Sequence, residues 1–303
     1  MKIFMTGGTG FVGGYLTRKL AQEGHEITVL SRSRRKAHEG VSHISFTRGD
    51  PKVPGPWQEI LAAHDVVINL AGTSIFSPWT KKTRQSILES RVLSTRNVVD
   101  ALSGNGKDKV LLSGSAVGYY GGRLDDEVLI ESSPPGRDFL SEVAIQWERE
   151  AQRAESFGVR VVICRFGIVL GKKGGALSKM IPPFNLYFGS PLGSGKQWFP
   201  WIHEEDLSRI MEFLIENKNI YGVVNCMSPH PVRNRELVKA LADALGKPAF
   251  LPSIPGFMLK MIMGDFANVI LKGQRAIPQK LMDAGFEFKY PLLKDTLKDL
   301  LGR

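Results

Sequence analysis

The sequence is poor in cysteine. Only two cysteines occur in 303 residues. Both, Cys164 and Cys226, fall in apolar, strand-like runs. That scarcity argues against a disulfide-stapled scaffold and against a cysteine metal site, and buried free thiols suit a reducing, cytoplasmic compartment. Long apolar runs are missing as well. The longest, Ile254 to Leu271, is broken by Pro255, Lys260 and Asp265, so it reads as amphipathic helix and not as a membrane span. No heptad pattern or internal repeat is present, which excludes coiled coils and solenoids. The first strand begins at Lys2, so no signal peptide is expected. Acidic residues are outnumbered: 40 Lys and Arg against 30 Asp and Glu leave a net charge of +10. The basic residues form no long cluster and no nucleic-acid-binding motif accompanies them, so no nucleic-acid partner is expected.

What is present starts at once. The first thirteen residues, MKIFMTGGTGFVG, place an apolar strand, Lys2 to Met5, before a glycine turn. A helical pattern then runs from Phe11 through Leu16 and Leu20 to Gly24. In a strand–turn–helix unit of this kind Gly7 permits the tight turn. Gly10 lets the backbone approach a phosphate, and Gly13 lets helix and strand pack closely. A glycine triplet alone also fits an ordinary strand-to-helix turn. With strand, helix and second strand in order, it reads as a dinucleotide cradle made by Gly7, Thr9, Gly10, Phe11 and Val12.

The second strand, His25 to Leu30, ends in Ser31-Arg32-Ser33. NAD-binding units of this type carry an acidic residue near this point to hold the ribose 2′-hydroxyl. Here none stands. Ser31 and Arg32 can instead hydrogen-bond and neutralise a 2′-phosphate, which favours NADP(H). The densest basic run of the chain, Arg32-Ser33-Arg34-Arg35-Lys36, lies at the same place. Further on, Asp65 to Leu70 is a nearly continuous apolar run, as expected of a parallel strand covered on both faces. The small residues after it, Leu70-Ala71-Gly72, let the chain pass close to the adenosine half of a cofactor.

Strands continue to alternate with helices: Trp79–Leu102, then a strand from Lys109, then Asp138–Ser156, then a strand from Arg160. That alternation predicts an α/β fold with a doubly wound parallel sheet. Composition shifts after Arg165. Gly171 to Gly195 reads as a Gly- and Pro-rich loop, and a helix is expected to open at Ile202–Asp206. Residues 1–170 are therefore read as the dinucleotide-binding domain, with a returning strand near 221–227. Residues 171–303 are read as a smaller substrate lobe, and the cleft between the two is the expected substrate site.

The glycine pattern, DVVINLAG and the serine-containing strand after it resemble the extended short-chain dehydrogenase/reductase superfamily. More narrowly, SGSAVGYYG, SPPG…DFL…WE, RFGIVLG, GGAL…PF, FPWIHEEDL and IPQKLMDAGFEFKYP resemble an NAD-dependent-epimerase-like family, some of whose members carry the label cell-division inhibitor. The resemblance covers essentially the whole chain. It implies an extended NADP(H)-binding Rossmann domain with a C-terminal lobe, and it places Val169 in the loop that passes the nicotinamide carboxamide. In relatives that dimerise, the helices corresponding to Trp79–Leu102 and Asp138–Ser156 pair, so a homodimer is expected. The resemblance names no substrate.

One departure from the superfamily bears directly on catalysis. Its active site pairs a serine with Tyr-x-x-x-Lys on the next helix, the lysine tuning the tyrosine for proton transfer. Ser115 fits the serine position. The register suggested by Trp147-Glu148 puts Leu140 where the tyrosine belongs and Ala144 where the lysine belongs, and no Tyr or Lys occurs between Tyr120 and Lys172. Tyr119, just beyond Ser115, is the first candidate for a replacement acid, although both Tyr119 and Tyr120 are also plausible packing residues. His203 is a candidate for proton transfer or for structural work at a helix start, Asp206 for support of that helix start, and Arg91 for a cofactor-phosphate contact or a plain surface position. Lys179 and Lys196 could hold an anionic substrate or simply face solvent. Two functions stay open. One is an NADP(H)-dependent epimerase or oxidoreductase acting on a small carbonyl or hydroxyl compound. The other is a catalytically silent NADP(H)-binding regulatory or interaction protein, with a link to cell division resting on the family label.

Overall fold

The computed structural model describes residues 1–33, 43–104 and 106–302. Lys2–Thr6 (β1) enters the glycine turn, followed by Phe11–Gln22 (α1), Glu26–Ser31 (β2) and Ile44–Arg48 (β3). Next come Trp57–Ala62 (α2), Val66–Asn69 (β4), Lys81–Leu102 (α3), Val110–Ala116 (β5) and the short Val128–Leu129 (β6). Phe139–Gln152 (α4), Arg160–Phe166 (β7), Ile168–Gly171 (β8), Gly175–Asn185 (α5), Trp198–Phe199 (β9) and Trp201–His203 (β10) follow. Glu204–Glu216 (α6), Gly222–Cys226 (β11), Val232–Arg233 (β12), Asn234–Leu245 (α7), Gly256–Met263 (α8), Ala267–Leu271 (α9), Arg275–Ala276 (β13), Gln279–Asp283 (α10) and Leu293–Leu301 (α11) complete the chain.

Seven strands form one parallel sheet in the order β11-β7-β5-β4-β1-β2-β3. Its strands are apolar on both faces because helices cover both, and the period of two sorts the side chains. Ile3, Met5, Ile27, Val29, Ile68 and Leu112 meet Leu16 and Leu20 of α1 and Leu207, Ile210 and Leu214 of α6. Phe4, Leu30, Val67, Leu111 and Ile163 face the other way, onto Leu61 of α2, Val98, Val99 and Leu102 of α3 and Ala151 of α4. Each such fully buried Leu, Ile or Val contributes about 1.5–3 kcal/mol of transfer free energy. The sheet therefore holds the C-terminal ends of its strands in a fixed row. Outside it, Leu170, Leu177, Phe184, Trp201, Leu237, Leu241 and Leu297 gather into a separate core between α5, α7 and α11.

Three sequence expectations change in detail. Part of the Gly- and Pro-rich stretch is helical: α5 carries Pro182 and Pro183 inside its last turns. Tertiary packing of Leu177 and Phe184 outweighs the loss of two N–H donors there. The residues Ile202–His203 belong to β10, and α6 opens only at Glu204 with His203 as its N-cap. The Ile254–Leu271 run is divided between α8 and α9, with Gly264 at φ 58° ending the first. Among the described residues no helix is long and apolar enough to cross a membrane.

Candidate functional site

The row of strand ends β4-β1-β2 brings three of the predicted segments together. Gly7 has φ +68°, and a Cβ on it would lie 2.5 Å from the Leu70 carbonyl oxygen. A Cβ on Gly13 would lie 2.3 Å from the Gly7 carbonyl oxygen. Both contacts are with backbone, so neither position accepts a side chain. Gly10 is the N-cap of α1, offers no side-chain acceptor, and no acidic residue follows in the first turn. The first N–H groups of α1 are thus left for a ligand, at the positive end of the helix dipole. Thr9 is exposed, and Phe11 and Val12 are partly buried at the helix start. Thr6 Oγ1 donates to Asn69 Oδ1 at 2.6 Å and accepts the Leu70 and Ala71 N–H groups, both at 3.2 Å. That tie holds the Leu70-Ala71-Gly72 segment against the turn. Ser31 is buried at the end of β2 and Arg32 is exposed beside it, in no ion pair with a described carboxylate. Arg34, Arg35 and Lys36 lie outside the described residues. An open helix N-terminus, a backbone-lined turn and an adjacent guanidinium unpaired among the described residues fit a dinucleotide carrying an extra phosphate.

One part of this wall escaped the sequence reading. The Phe11 ring packs on Gly171, Gly174 and Gly175, where added Cβ atoms would lie 2.9, 2.7 and 2.5 Å from it. The turn after β8 therefore closes over the start of α1, and Val169 lies on β8 opposite Ile202. The signal was the GKKGG run, which reads as loop composition until a partner for its missing side chains is known.

Arg91, in the middle of α3, lies under the Leu70–Thr73 segment. Its Nη1 donates to the Thr73 and Ile87 carbonyls at 3.1 and 3.0 Å. The guanidinium rests against Gly72 and sits 5.3 Å from the centre of the Trp147 ring. Burial lowers its pKa to about 10.

At the ends of β5 and β7 the side chains form a buried polar chain. The Ser115 hydroxyl donates to Glu148 Oε1 at 2.6 Å. Glu148 accepts two further bonds of 2.8 Å from Arg165 Nε and Nη2. Arg165 Nη1 donates to the Tyr120 hydroxyl at 3.0 Å, which donates to Asn225 Oδ1 at 2.7 Å. Burial opposes the charge of Arg165, but the Glu148 carboxylate overrides it and holds the guanidinium above its ordinary pKa. Burial also pushes the Tyr120 phenol up to about 12. Tyr119 differs: its ring centre lies 3.3 Å from Arg165 Cζ, and its hydroxyl bonds to no described residue. Ser115 and Tyr119 are therefore joined through Glu148 and Arg165, not by a direct hydrogen bond. Leu140 is partly exposed at the first turn of α4, and Ala144 is buried one turn on. Neither carries a group that exchanges a proton.

The remaining candidates are placed elsewhere. His203 Nδ1 accepts the Glu205 N–H at 2.9 Å, its Nε2 lies 3.3 Å from Asp299 Oδ2, and its ring stacks on Tyr290 at 4.0 Å. Asp206 accepts the Lys289 and Tyr290 N–H groups, both at 2.8 Å, so it anchors the C-terminal segment as well as its own helix. Lys179 is exposed over the Phe76 ring, and Lys196 is exposed. The outer sides of α3 and α4 carry ion pairs, Arg96 with Glu150 and Arg153 with Asp100.

Comparison with known proteins agrees with this geometry. Residues 3–226 match the NAD dependent epimerase/dehydratase family, and residues 254–300 match a domain of unknown function, DUF1731. The chain is 40% identical to the epimerase family protein SDR39U1 homolog, chloroplastic, of Arabidopsis thaliana, across 99% of this chain and 87% of that protein. It is 41% identical to the epimerase family protein YfhF of Bacillus subtilis, across 100% and 98%. The crystal structure of human epimerase family protein SDR39U1 (isoform 2) with NADPH superposes with a TM-score of 0.87 at 32% identity, covering 100% of both chains. With its parallel sheet, its glycine cradle and the family match over residues 3–226, the chain belongs to the NAD-dependent epimerase/dehydratase family.

Proposed function

We propose that the protein is an NADP(H)-dependent oxidoreductase that reduces a small carbonyl substrate, with Tyr119 as the proton donor. The cofactor reading is supported by Ser31 and Arg32 in place of a carboxylate at the end of β2, and by the NADPH bound to the human relative. When bound, NADPH supplies the hydride. The chain's own residues bind, orient and protonate. The turn Gly7–Gly10 and the N-terminus of α1 take the pyrophosphate, Arg32 takes the 2′-phosphate, and Leu70, Ala71 and Gly72 line the adenosine side. Val169 borders the nicotinamide end.

The observation that carries the catalytic part is the Tyr119 hydroxyl. It has no partner among the described residues, while Arg165 Cζ lies over its ring, 3.3 Å from the ring centre. Such a phenol is positioned and free to donate. In the superfamily that the chain resembles, the serine at the Ser115 position holds the substrate oxygen. Here the Ser115 proton is committed to Glu148 and the residue is 2% exposed, so its part is to position the Glu148–Arg165 pair that carries Tyr119. The lysine that activates the tyrosine of Tyr-x-x-x-Lys for proton abstraction is absent, which favours reduction over alcohol oxidation. The test is NADPH consumption against aldehydes, ketones and quinones. Tyr119→Phe is expected to lower turnover by about 100-fold, the scale of a positioned general acid. Unchanged turnover removes Tyr119 from the mechanism.

A second reading, a catalytically silent NADP(H)-binding regulatory protein, is favoured by Leu140 and Ala144 in the dyad positions. Tight NADPH binding with no turnover on any substrate would select it.

A further inference from the structure

We propose that Arg91 and Trp147 together grip the nicotinamide-side ribosyl phosphate of the cofactor, and that Arg91 supplies from α3 the positive charge that Ala144 cannot supply from α4. A partly buried cation without a counter-charge and a buried donor without an acceptor point to it. Arg91 is desolvated, yet no described carboxylate pairs with it, and only its Nη1 is engaged, by carbonyl oxygens. The Trp147 indole N–H is buried and donates to no described residue. Trp147 itself is 7% exposed. The two groups lie together, Arg91 Cζ 5.3 Å from the ring centre. A partly buried cation with no counter-charge and an orphaned buried N–H both gain from the same oxygen-rich anionic ligand.

The place is consistent with that ligand. The guanidinium lies flat against Gly72, at the C-terminal end of β4, and the Trp147 ring touches Gly114 at the end of β5. Cofactors of parallel sheets lie outside these ends. Ala144 stands three residues before Trp147 on the same buried face of α4, so a lysine there would rise into the groove that Arg91 occupies from the opposite helix. By contrast Arg165 has Glu148, and Arg160 is engaged by the carbonyls of Leu214, Ile215 and Ile220.

The inference rests on NADP(H) as the cofactor, and binding, not turnover, tests it. Calorimetry compares NADPH with adenosine 2′,5′-bisphosphate, which carries the adenosine half alone. The unaltered chain is expected to bind both; failure to bind either ligand would overturn the cofactor reading itself. Arg91→Ala is expected to weaken NADPH by about tenfold or more, as for a lost charged hydrogen bond, and to leave the bisphosphate unchanged. That unchanged arm also shows that the variant is folded. Adding Ala144→Lys is expected to restore NADPH affinity. Trp147→Phe removes the indole N–H together with the second ring, and is expected to weaken NADPH while leaving the bisphosphate unchanged. Equal losses for the two ligands, unchanged NADPH affinity in Arg91→Ala, or no recovery on adding the lysine would overturn the proposal.

Discussion

Glu148 of α4 and Arg165 of β7 meet in two hydrogen bonds of 2.8 Å, and their side chains are 6% and 2% exposed. A planar guanidinium matches a carboxylate in this two-bonded geometry, and the Ser115 hydroxyl adds a third donor to Glu148. The pair joins the sheet to α4 immediately below the candidate site.

Removing one charge of that pair strands the other in the interior. Glu148→Gln is expected to destabilise the fold by about 3–5 kcal/mol in urea unfolding. The double change Glu148→Leu with Arg165→Met is expected to recover most of that loss, because an apolar pair leaves no buried charge. A double variant as unstable as the single one would show that the bonds themselves, and not the stranded charge, dominate.

Arg32 is expected to select the cofactor. With Arg32→Ala, NADPH affinity falls by about 10- to 100-fold, the value of one charge-assisted contact to phosphate, while NADH affinity stays constant. Calorimetry on both proteins checks it, and equal NADPH affinity would remove Arg32 from the site.

Gly13 tests the cradle. A methyl group there would meet the Gly7 carbonyl at 2.3 Å, and backbone cannot swing away as a side chain can. Gly13→Ala is expected to cost about 1–3 kcal/mol of stability and to weaken both NADPH and adenosine 2′,5′-bisphosphate, since it displaces the turn both ligands use. Unaltered binding of the bisphosphate would show that the turn does not contact the cofactor.

His203 gives a pH dependence with a definite sign. Burial lowers its pKa below the ordinary 6.5, although Asp299 pulls the other way. The folded state therefore prefers the neutral ring, whose Nδ1 caps α6 by accepting the Glu205 N–H. This stability is fully present above pH 6.5 and is lost as pH falls through the lower, folded-state pKa. His203→Asn keeps a capping acceptor and removes the titration. Its thermal midpoint is expected to fall less steeply than that of the unaltered chain from pH 7 to pH 5. Parallel curves would assign the acid sensitivity to other groups.

What the sequence determined by itself was what contiguous residues encode. The glycine turn, the alternation of apolar strands with amphipathic helices and the missing carboxylate after β2 are local patterns. Backbone sterics and burial periodicity act over a few residues at a time, so the parallel sheet, the cradle and the absence of Tyr-x-x-x-Lys are all legible in the sequence. Tertiary structure alone decided which distant residues meet. Ser115, Glu148 and Arg165 are spread over fifty positions, and only the packing of α4 across β5 and β7 brings them into hydrogen-bond distance. The same holds for Phe11 on Gly171 and Gly175, and for Arg91 over Trp147. The superfamily resemblance gives Ser115 a substrate oxygen to hold. The fold gives its proton to a buried carboxylate, because a hydroxyl enclosed at the foot of the site takes the strongest acceptor within reach.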